Sequence, residues 1–265
     1  MYGFAYHRPK TLEEAVRLSA GSGEARYLAG GQTLIPTLKL RLANLDAVVD
    51  LKGVAGLDAI SEAGGALIIG ALTRHASVAA SAEVRQAIPA LAALAGGIGD
   101  AQVRNRGTLG GSVANGDPAA DYPAAVLGLG ATIATSRRQI AADAFFKGMF
   151  ETALEPGEII ASISFPVPRR AAYVKFPSPA SHYAMVGVFV AEAADGVRVA
   201  ITGAGPHVFR WGAAEAALGR RFAATSIDGF QLAADELLSD AHGDAQYRAS
   251  LVATMTKRAV SVATT

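Results

Sequence analysis

The chain contains no cysteine among its 265 residues. It therefore cannot form a disulfide, a zinc–thiolate site or a cysteine nucleophile, and it holds no ligands for an iron–sulfur cluster of its own. Its five histidines are scattered, and no pair has the HExxH spacing of a zinc enzyme. We expect no internal transition-metal site.

An excess of charge of one sign is also missing. The 24 basic and 23 acidic residues are intermixed, the net charge is +1, and no basic stripe is present, so nucleic acid is not an expected partner. No apolar run approaches the ~18 residues of a membrane span. Residues 1–10 lack the pattern of a secretory signal. These features predict a soluble, cytoplasmic protein.

Two glycine pairs stand out in what the sequence does contain. Gly30-Gly31 and Gly110-Gly111 each lie between a predicted strand and a predicted helix. Paired glycines let the backbone approach a ligand closely, with N–H groups free to face an anion. The two pairs suggest one phosphate-bearing ligand held from two sides. From spacing alone the alternative remains two tight turns in a glycine-rich protein.

The first part of the chain reads as a mixture of helices and strands. The Thr11 to Glu14 capping box predicts a helix start, and Gly64-Gly65 predicts a hairpin. Thr73 is predicted as an N-cap, and Pro118, after Asp117, is predicted to open a helix that runs to Leu129. The strands are predicted over 26–29, 47–51, 57–61, 66–72, 131–135 and 159–165. The other helices are predicted over 33–42, 81–94 and 141–150.

The Pro166-Val167-Pro168 segment predicts a domain boundary. After it, apolar runs over 172–176, 183–194 and 197–203 predict antiparallel strands, with a tight hairpin at Asp195-Gly196. Helices are predicted over 211–217, 230–238 and 244–263. We expect a domain over 1–168, in two subdomains of about 1–53 and 54–168, and a C-terminal α+β domain over 169–265.

No catalytic constellation is evident. Asp117 and Asp121 are four residues apart, which would place both carboxylates on one helix face for acid–base work. The alternative is a first-turn acid beside a ribose or solvent contact. Ser112 lacks the Gly-x-Ser-x-Gly context of a hydrolase. The glycines at 97 and 99 follow a predicted helix, which is the wrong context for a Rossmann dinucleotide site.

The two glycine segments together resemble those of a known family. Residues 29–36 and 108–121 resemble the two FAD-binding segments of the flavoprotein (medium) chain of molybdenum hydroxylases, the xanthine dehydrogenase and aerobic carbon monoxide dehydrogenase family. The resemblance covers essentially the whole chain, including the 166–168 boundary and the runs 174–176 and 182–188. Two motifs at their expected separation are far more specific than either alone.

The resemblance implies an α+β fold. It consists of a bipartite FAD-binding domain of the vanillyl-alcohol-oxidase (PCMH) type and a small C-terminal domain of the CO-dehydrogenase flavoprotein type, with an antiparallel sheet and helices. Backbone N–H groups of the two segments would cradle the FAD pyrophosphate. Asp121 would lie near the ribose or adenine, while Lys175 and Tyr183 would approach the isoalloxazine. The implied cofactor-binding residues are Ala29, Gly30, Gly31, Gln32, Thr33, Thr108, Leu109, Gly110, Gly111, Ser112, Asp121, Lys175 and Tyr183.

The resemblance also implies an electron-transfer role. A large partner chain would hold the molybdenum cofactor, and a small partner would carry two [2Fe–2S] clusters, which agrees with the absence of cysteine here. Electrons would pass through FAD to an external acceptor, in a dimer of heterotrimers. Two alternatives remain: a stand-alone FAD oxidase, and a flavin-free assembly module of the same fold. The sequence names neither the substrate nor the acceptor.

Overall fold

The computed structural model describes residues 1–265. A three-stranded parallel sheet, ordered β1-β3-β2, begins the chain. The Thr11 hydroxyl accepts a hydrogen bond from the Glu14 N–H (3.1 Å), which confirms the predicted helix cap. The elements here are β1 (Ala5–His7), α1 (Leu12–Ala20), β2 (Ala25–Leu28), α2 (Leu34–Lys39) and β3 (Ala47–Asp50).

A five-stranded antiparallel sheet follows. It is ordered β4-β5-β10-β6-β7, and the predicted hairpin at Gly64-Gly65 joins its first two strands with both glycines at positive φ. A small separate hairpin pairs β8 with β9. The strands are β4 (Ile60–Ala63), β5 (Ala66–Gly70), β6 (Thr132–Thr135), β7 (Gln139–Ala141), β8 (Phe146–Gly148), β9 (Glu151–Thr152) and β10 (Ile160–Pro166).

Six short helices cover this sheet and share its core. Leu67, Ile69, Leu91 and Phe165 are fully buried in the largest hydrophobic cluster of the protein. The helices are α3 (His75–Ala80), α4 (Ala82–Ala87), α5 (Pro89–Gly96), α6 (Ala101–Arg106), α7 (Leu109–Asn115) and α8 (Tyr122–Gly128).

The predicted helix over 81–94 is broken at Pro89. Ser81 caps α4 by accepting from the Val84 N–H, but Ile88 leaves the helical conformation (φ −140°, ψ 76°), and a second helix begins at Pro89. Proline has no N–H for the preceding turn and disfavours helical geometry in the residue before it. The predicted N-cap at Thr73 is also wrong, because Arg74 holds that position.

The central stretch folds differently from its prediction. Gly110 and Gly111 lie inside α7, whose N-cap is Thr108, and therefore do not form a turn. Pro118 lies in a turn closed by the Ala120 N–H on the Asp117 carbonyl (3.1 Å), and α8 begins only at Tyr122. Asp117 and Asp121 consequently do not share a helix face. A local side-chain bond from the Ala119 N–H to Asp117 (2.9 Å) competes with helix here.

The predicted helix over 141–150 is replaced by a 3-10 turn and the β8–β9 hairpin. Gly148 lowers helix propensity in so short a segment, and Phe150 takes a left-handed backbone (φ +56°) at the hairpin turn.

A four-stranded antiparallel sheet, a nine-residue helix and a twenty-residue helix complete the chain. The predicted strands are confirmed, and the hairpin loop lies at residues 194–195 with Gly196 beginning the next strand. No helix forms over 230–238, where Gly229 (φ +77°) precedes an irregular segment that packs Phe230 and Leu237 on the core. The elements are β11 (Arg170–Pro177), β12 (Ala184–Ala193), β13 (Gly196–Thr202), β14 (Phe209–Arg210), α9 (Gly212–Arg220) and α10 (Ala245–Thr264).

The C-terminal sheet has two buried faces. Val188, Val190 and Ile201 pack in the cluster that contains α9 and α10, whereas Phe189 and Ala200 join the large cluster that contains α8. This alternation follows from the two-residue period of a strand. No helix of the protein has the length and apolar character needed to cross a membrane.

Arg248, on α10, forms hydrogen bonds with three separate segments at one end of this sheet. Its buried guanidinium donates through Nη1 to the carbonyls of Met185 and Gly203, both at 2.8 Å, and through Nη2 to the Asp240 carboxylate at 2.7 Å. Buried carbonyls that lose such a donor retain their desolvation cost without compensation.

We predict that Arg248→Met lowers the free energy of unfolding by about 3 kcal/mol, because it leaves two buried carbonyls without donors. Urea unfolding of the purified chain measures the change. Arg220→Met, at an exposed position near the end of α9, is the matched control and is expected to change stability by less than about 0.5 kcal/mol. Equal midpoints for the two variants would contradict this role of Arg248.

Candidate functional site

A cavity of about 690 Å³ lies where the parallel sheet, α7 and the loop before β12 meet. Eleven of the thirteen residues predicted from sequence line it; Leu109 is fully buried in the core, and Lys175 is not among the lining residues. The lining members are Ala29, Gly30, Gly31, Gln32, Thr33, Thr108, Gly110, Gly111, Ser112, Asp121 and Tyr183.

The first glycine segment packs against the backbone that leads into the second. A Cβ added at Gly30 would lie 1.9 Å from the Arg106 carbonyl oxygen, so only glycine permits this approach. A Cβ added at Gly111 would lie 2.8 Å from the Thr108 hydroxyl and 3.7 Å from the Ala29 Cβ. Segments 79 residues apart in sequence, at Gly31 and Gly110, are thus brought to one wall of the cavity.

The first segment keeps its backbone donors free. None of the N–H groups from Gly30 to Thr33 donates to a backbone carbonyl. Gly31 adopts a left-handed conformation (φ +76°), and the segment leads directly into α2. Consecutive unpaired N–H groups at the edge of a cavity form an anion-binding concavity.

The second segment uses its donors inside the protein. The N–H groups of Leu109 and Gly110 donate to the Thr73 and Ala71 carbonyls at 3.0 and 2.8 Å. Those of Gly111 and Ser112 donate to the side chain and carbonyl of Thr108. These four N–H groups are therefore not free to bind an anion. The segment instead faces the cavity with its closely packed glycine backbone.

Asp121 is held by two side chains of β11. Its buried carboxylate accepts hydrogen bonds from the Tyr173 hydroxyl and from Lys175 Nζ, the latter at 3.1 Å. Burial raises the pKa of Asp121, while the Lys175 charge and the Tyr173 bond oppose that rise. Tyr173 and Lys175 are two residues apart and so project from the same face of the strand.

Tyr183 lies in the loop before β12, with 49% of its surface exposed, at the cavity. The loop is closed by the Ser178 N–H donating to the Tyr183 carbonyl (2.8 Å), and His182 has a left-handed backbone (φ +59°). Burial of its hydroxyl, with the carboxylates of Asp117 and Asp121, raises the pKa of Tyr183. The residue therefore lies outside the core and just before β12, although the predicted strand over 183–194 included it.

The lining residues that the sequence reasoning missed include His75, Phe150 and Glu158. His75 is buried, its Nδ1 has no partner, and burial together with the Arg104 charge lowers its pKa to about 4, so the imidazole is neutral at pH 7. Phe150 projects at the hairpin turn, and Glu158 forms part of the wall. No local motif marks them in the sequence, since each reaches the cavity only through the tertiary fold.

Glu158 is the most strongly stabilised carboxylate of the site. It accepts from Arg138 through both oxygens at 3.0 Å, from the Thr135 hydroxyl at 2.7 Å and from the Glu155 N–H at 2.8 Å. These bonds, led by Arg138, lower its pKa to about 2. No cluster of histidine and carboxylate side chains suits a metal ion.

Comparison with known proteins accounts for this arrangement. Residues 2–168 match the family described as the FAD binding domain in molybdopterin dehydrogenase. The chain belongs to this family. It is 35% identical to the carbon monoxide dehydrogenase medium chain of Hydrogenophaga pseudoflava, over 98% of this chain and 96% of that one. The nicotine 6-hydroxylase medium subunit of Paenarthrobacter nicotinovorans is 34% identical over 96% and 95%.

The fold agrees with a solved structure of that enzyme class. The structure of carbon monoxide dehydrogenase from Hydrogenophaga pseudoflava that lacks the Mo-pyranopterin moiety superposes with a TM-score of 0.90 at 34% identity, covering 99% of this chain and 97% of that one. The predicted family and fold class are thereby confirmed. The chain is the FAD-binding medium subunit of a molybdenum-containing oxidoreductase.

We predict that Glu158→Gln lowers stability by about 3 kcal/mol at pH 7, from the displacement of its pKa from 4.5 to about 2. Because the folded state favours the charged form, this contribution is complete above about pH 4.5 and disappears as the pH falls towards 2. Thermal unfolding at pH 7 and pH 3 measures it, with the exposed Glu62→Gln as control. A difference from wild type that did not shrink at pH 3 would refute this origin.

Proposed function

We propose that the 690 Å³ cavity binds FAD and that the segment from Gly30 to Thr33 holds its pyrophosphate. The observation that carries this proposal is the row of unpaired N–H groups at the cavity wall. The size lies within the range of cofactor pockets. Gly111 and Thr108 complete the cradle by shape, and the exposed Gln32 and the half-buried Ser112 lie in the same wall.

The residues present fit such a dianionic cofactor. The wall contains three acidic groups: Asp121 is paired with Lys175 and Glu158 with Arg138, whereas Asp117 accepts only the Ala119 N–H. We propose that Asp121, the N-cap residue of α8, lies near the ribose or adenine of FAD. Tyr183 is proposed to lie against the isoalloxazine, because its ring is exposed on the cavity rather than packed in the core.

FAD, when bound, supplies an acceptor that takes and releases electrons, and the chain's own task is to bind, orient and shield it. We propose that the electrons come from two [2Fe–2S] clusters on a small partner chain, after oxidation of the substrate on a large molybdenum-cofactor chain. They then leave to an external acceptor. The absence of cysteine here supports clusters on another chain, and the coverage of complete medium chains supports the subunit role.

We further propose a cytoplasmic dimer of heterotrimers and a boundary at 166–168 between domains of 1–168 and 169–265, with subdomains meeting near residues 53 and 54. The family match ending at residue 168 supports this boundary. The substrate stays open, because relatives of nearly equal similarity carry names that cite carbon monoxide and nicotine. A flavin-free module or a stand-alone oxidase gains no support from any contact in the cavity.

We expect Gly111→Val to reduce the FAD content of the purified complex to below about one tenth, since a branched side chain fills the narrow gap between Thr108 and Ala29. Flavin absorbance per chain measures this. Gly219→Val is the matched control, because a Cβ at this glycine of α9 meets nothing within 4 Å. Unchanged FAD content in an assembled Gly111→Val complex would rule out the cradle.

Tyr183→Ala is expected to keep FAD but to shift the visible flavin bands and to weaken binding about threefold to tenfold, the range for loss of one aromatic contact. Absorption spectra and titration of the flavin-depleted complex with FAD provide the readouts. Tyr2→Ala removes an equally exposed tyrosine (48% against 49%) away from the cavity. If both variants retained wild-type spectra and affinity, Tyr183 would have no contact with the flavin.

A further inference from the structure

The ammonium group of Lys175 joins three separate segments of the cavity wall. Lys175 Nζ donates to the Gly97 carbonyl at 2.9 Å, to Asp121 Oδ2 at 3.1 Å and to the His182 carbonyl at 3.0 Å. An ammonium has three donors, so these acceptors use all of them. The side chain is only 14% exposed, and Lys175 is absent from the cavity lining.

The first of these segments is a glycine loop after α5. Its three consecutive carbonyls all accept from cations: Gly97 from Lys175, and Ile98 and Gly99 from Arg104 Nη1 at 3.0 and 2.8 Å. Ile98 and Gly99 line the cavity. The loop that lacked the context of a Rossmann site is therefore held in place by two charged side chains.

The second segment is the loop that carries Tyr183. Lys175 binds the carbonyl of His182, the residue with the left-handed backbone next to Tyr183. A non-glycine residue persists in this conformation only where its surroundings hold it. Three other hydrogen bonds fix the loop. The Ser178 N–H donates to the Tyr183 carbonyl, the His182 N–H donates to the Ser178 carbonyl, and the Tyr183 N–H donates to the Ser181 hydroxyl at 3.3 Å.

The third acceptor, Asp121, anchors the ammonium. It is 6% exposed and also bonded to Tyr173, which stacks on Phe189 in the core of the sheet. A buried ion pair with its remaining lone pairs satisfied has a fixed geometry, and removing one partner leaves a charge uncompensated. Because Asp121 fixes the ammonium of Lys175, the position of β11 also determines the positions of the Gly97 loop and the His182 loop.

We propose that Lys175 is a positioning residue, which sets the separation of the Ile98 and Tyr183 loops and thereby the width of the slot that receives the flavin ring. This inference rests on the proposed FAD site. It differs from the role implied by resemblance, in which Lys175 itself approaches the isoalloxazine, because no donor of the ammonium is left for that contact.

The test uses the complete complex with its partner chains. Lys175→Met alone leaves the buried carboxylate of Asp121 without its cationic partner. The main variant therefore combines Lys175→Met with Asp121→Asn, which removes both charges and keeps an oxygen acceptor for the Tyr173 hydroxyl. We expect its dissociation constant for FAD, from titration of the flavin-depleted complex, to rise about tenfold. The visible circular dichroism of the bound flavin changes in the same direction as in Tyr183→Ala. Lys257→Met, which breaks an ion pair with Asp228 remote from the cavity, should leave both readouts unchanged.

Coupling to Tyr183 decides between positioning and direct contact. In a Tyr183→Ala background the same double change is expected to raise the dissociation constant about threefold or less, since the loop no longer carries its ring. An undiminished tenfold effect in that background would overturn the inference in favour of direct contact. An unaltered dissociation constant and dichroism in the main variant would also overturn it. A wild-type complex without FAD would instead refute the proposed function.

Discussion

The backbone contact between Gly30 and Arg106 is the constraint on which the site depends. A side chain at position 30 would overlap the carbonyl of the chain just ahead of α7, so the parallel sheet and the helical layer can meet only through glycine. That meeting places a segment with unused N–H groups beside a second segment in which the N–H groups of residues 109–112 are engaged within the protein. The result is a cavity wall in which free N–H donors lie beside a closely packed glycine surface.

The C-terminal sheet contributes to the cavity through the loop between β11 and β12, which supplies Ser181, His182 and Tyr183 to the lining. Its β11 strand sends Tyr173 and Lys175 into the buried carboxylate of Asp121, and its opposite face packs on α9 and α10. The proposed flavin site thus lies where three structural layers meet, a common location for cofactor pockets. The Tyr183 loop and the Gly97 loop share the Lys175 ammonium, and this shared contact is the basis of the positioning role proposed for Lys175.

Local chemistry made part of this structure predictable. The Thr11 cap, the Gly64-Gly65 hairpin and the strands after Pro168 follow from single residues or short patterns, and eleven of the thirteen expected residues line one cavity. The alanine- and leucine-rich pattern over 81–94 predicted one continuous helix, and the break before Pro89 was therefore missed. The glycines at 110 and 111 predicted a turn where a helix forms, because tertiary packing of Gly110 against Ala71 and of Gly111 beside Ala29 overrides their low helix propensity. His75, Phe150 and Glu158 reach the cavity only after folding, so no pattern identifies them.

The stoichiometry of FAD in the native complex tests the central claim most directly. The measurement is the visible absorption spectrum of the complex purified from its own host with all partner chains retained, followed by separation of the chains. The account predicts about one flavin per copy of this chain, with iron–sulfur absorption belonging entirely to a partner. A fully assembled complex with no flavin, or with flavin only on another chain, would contradict it.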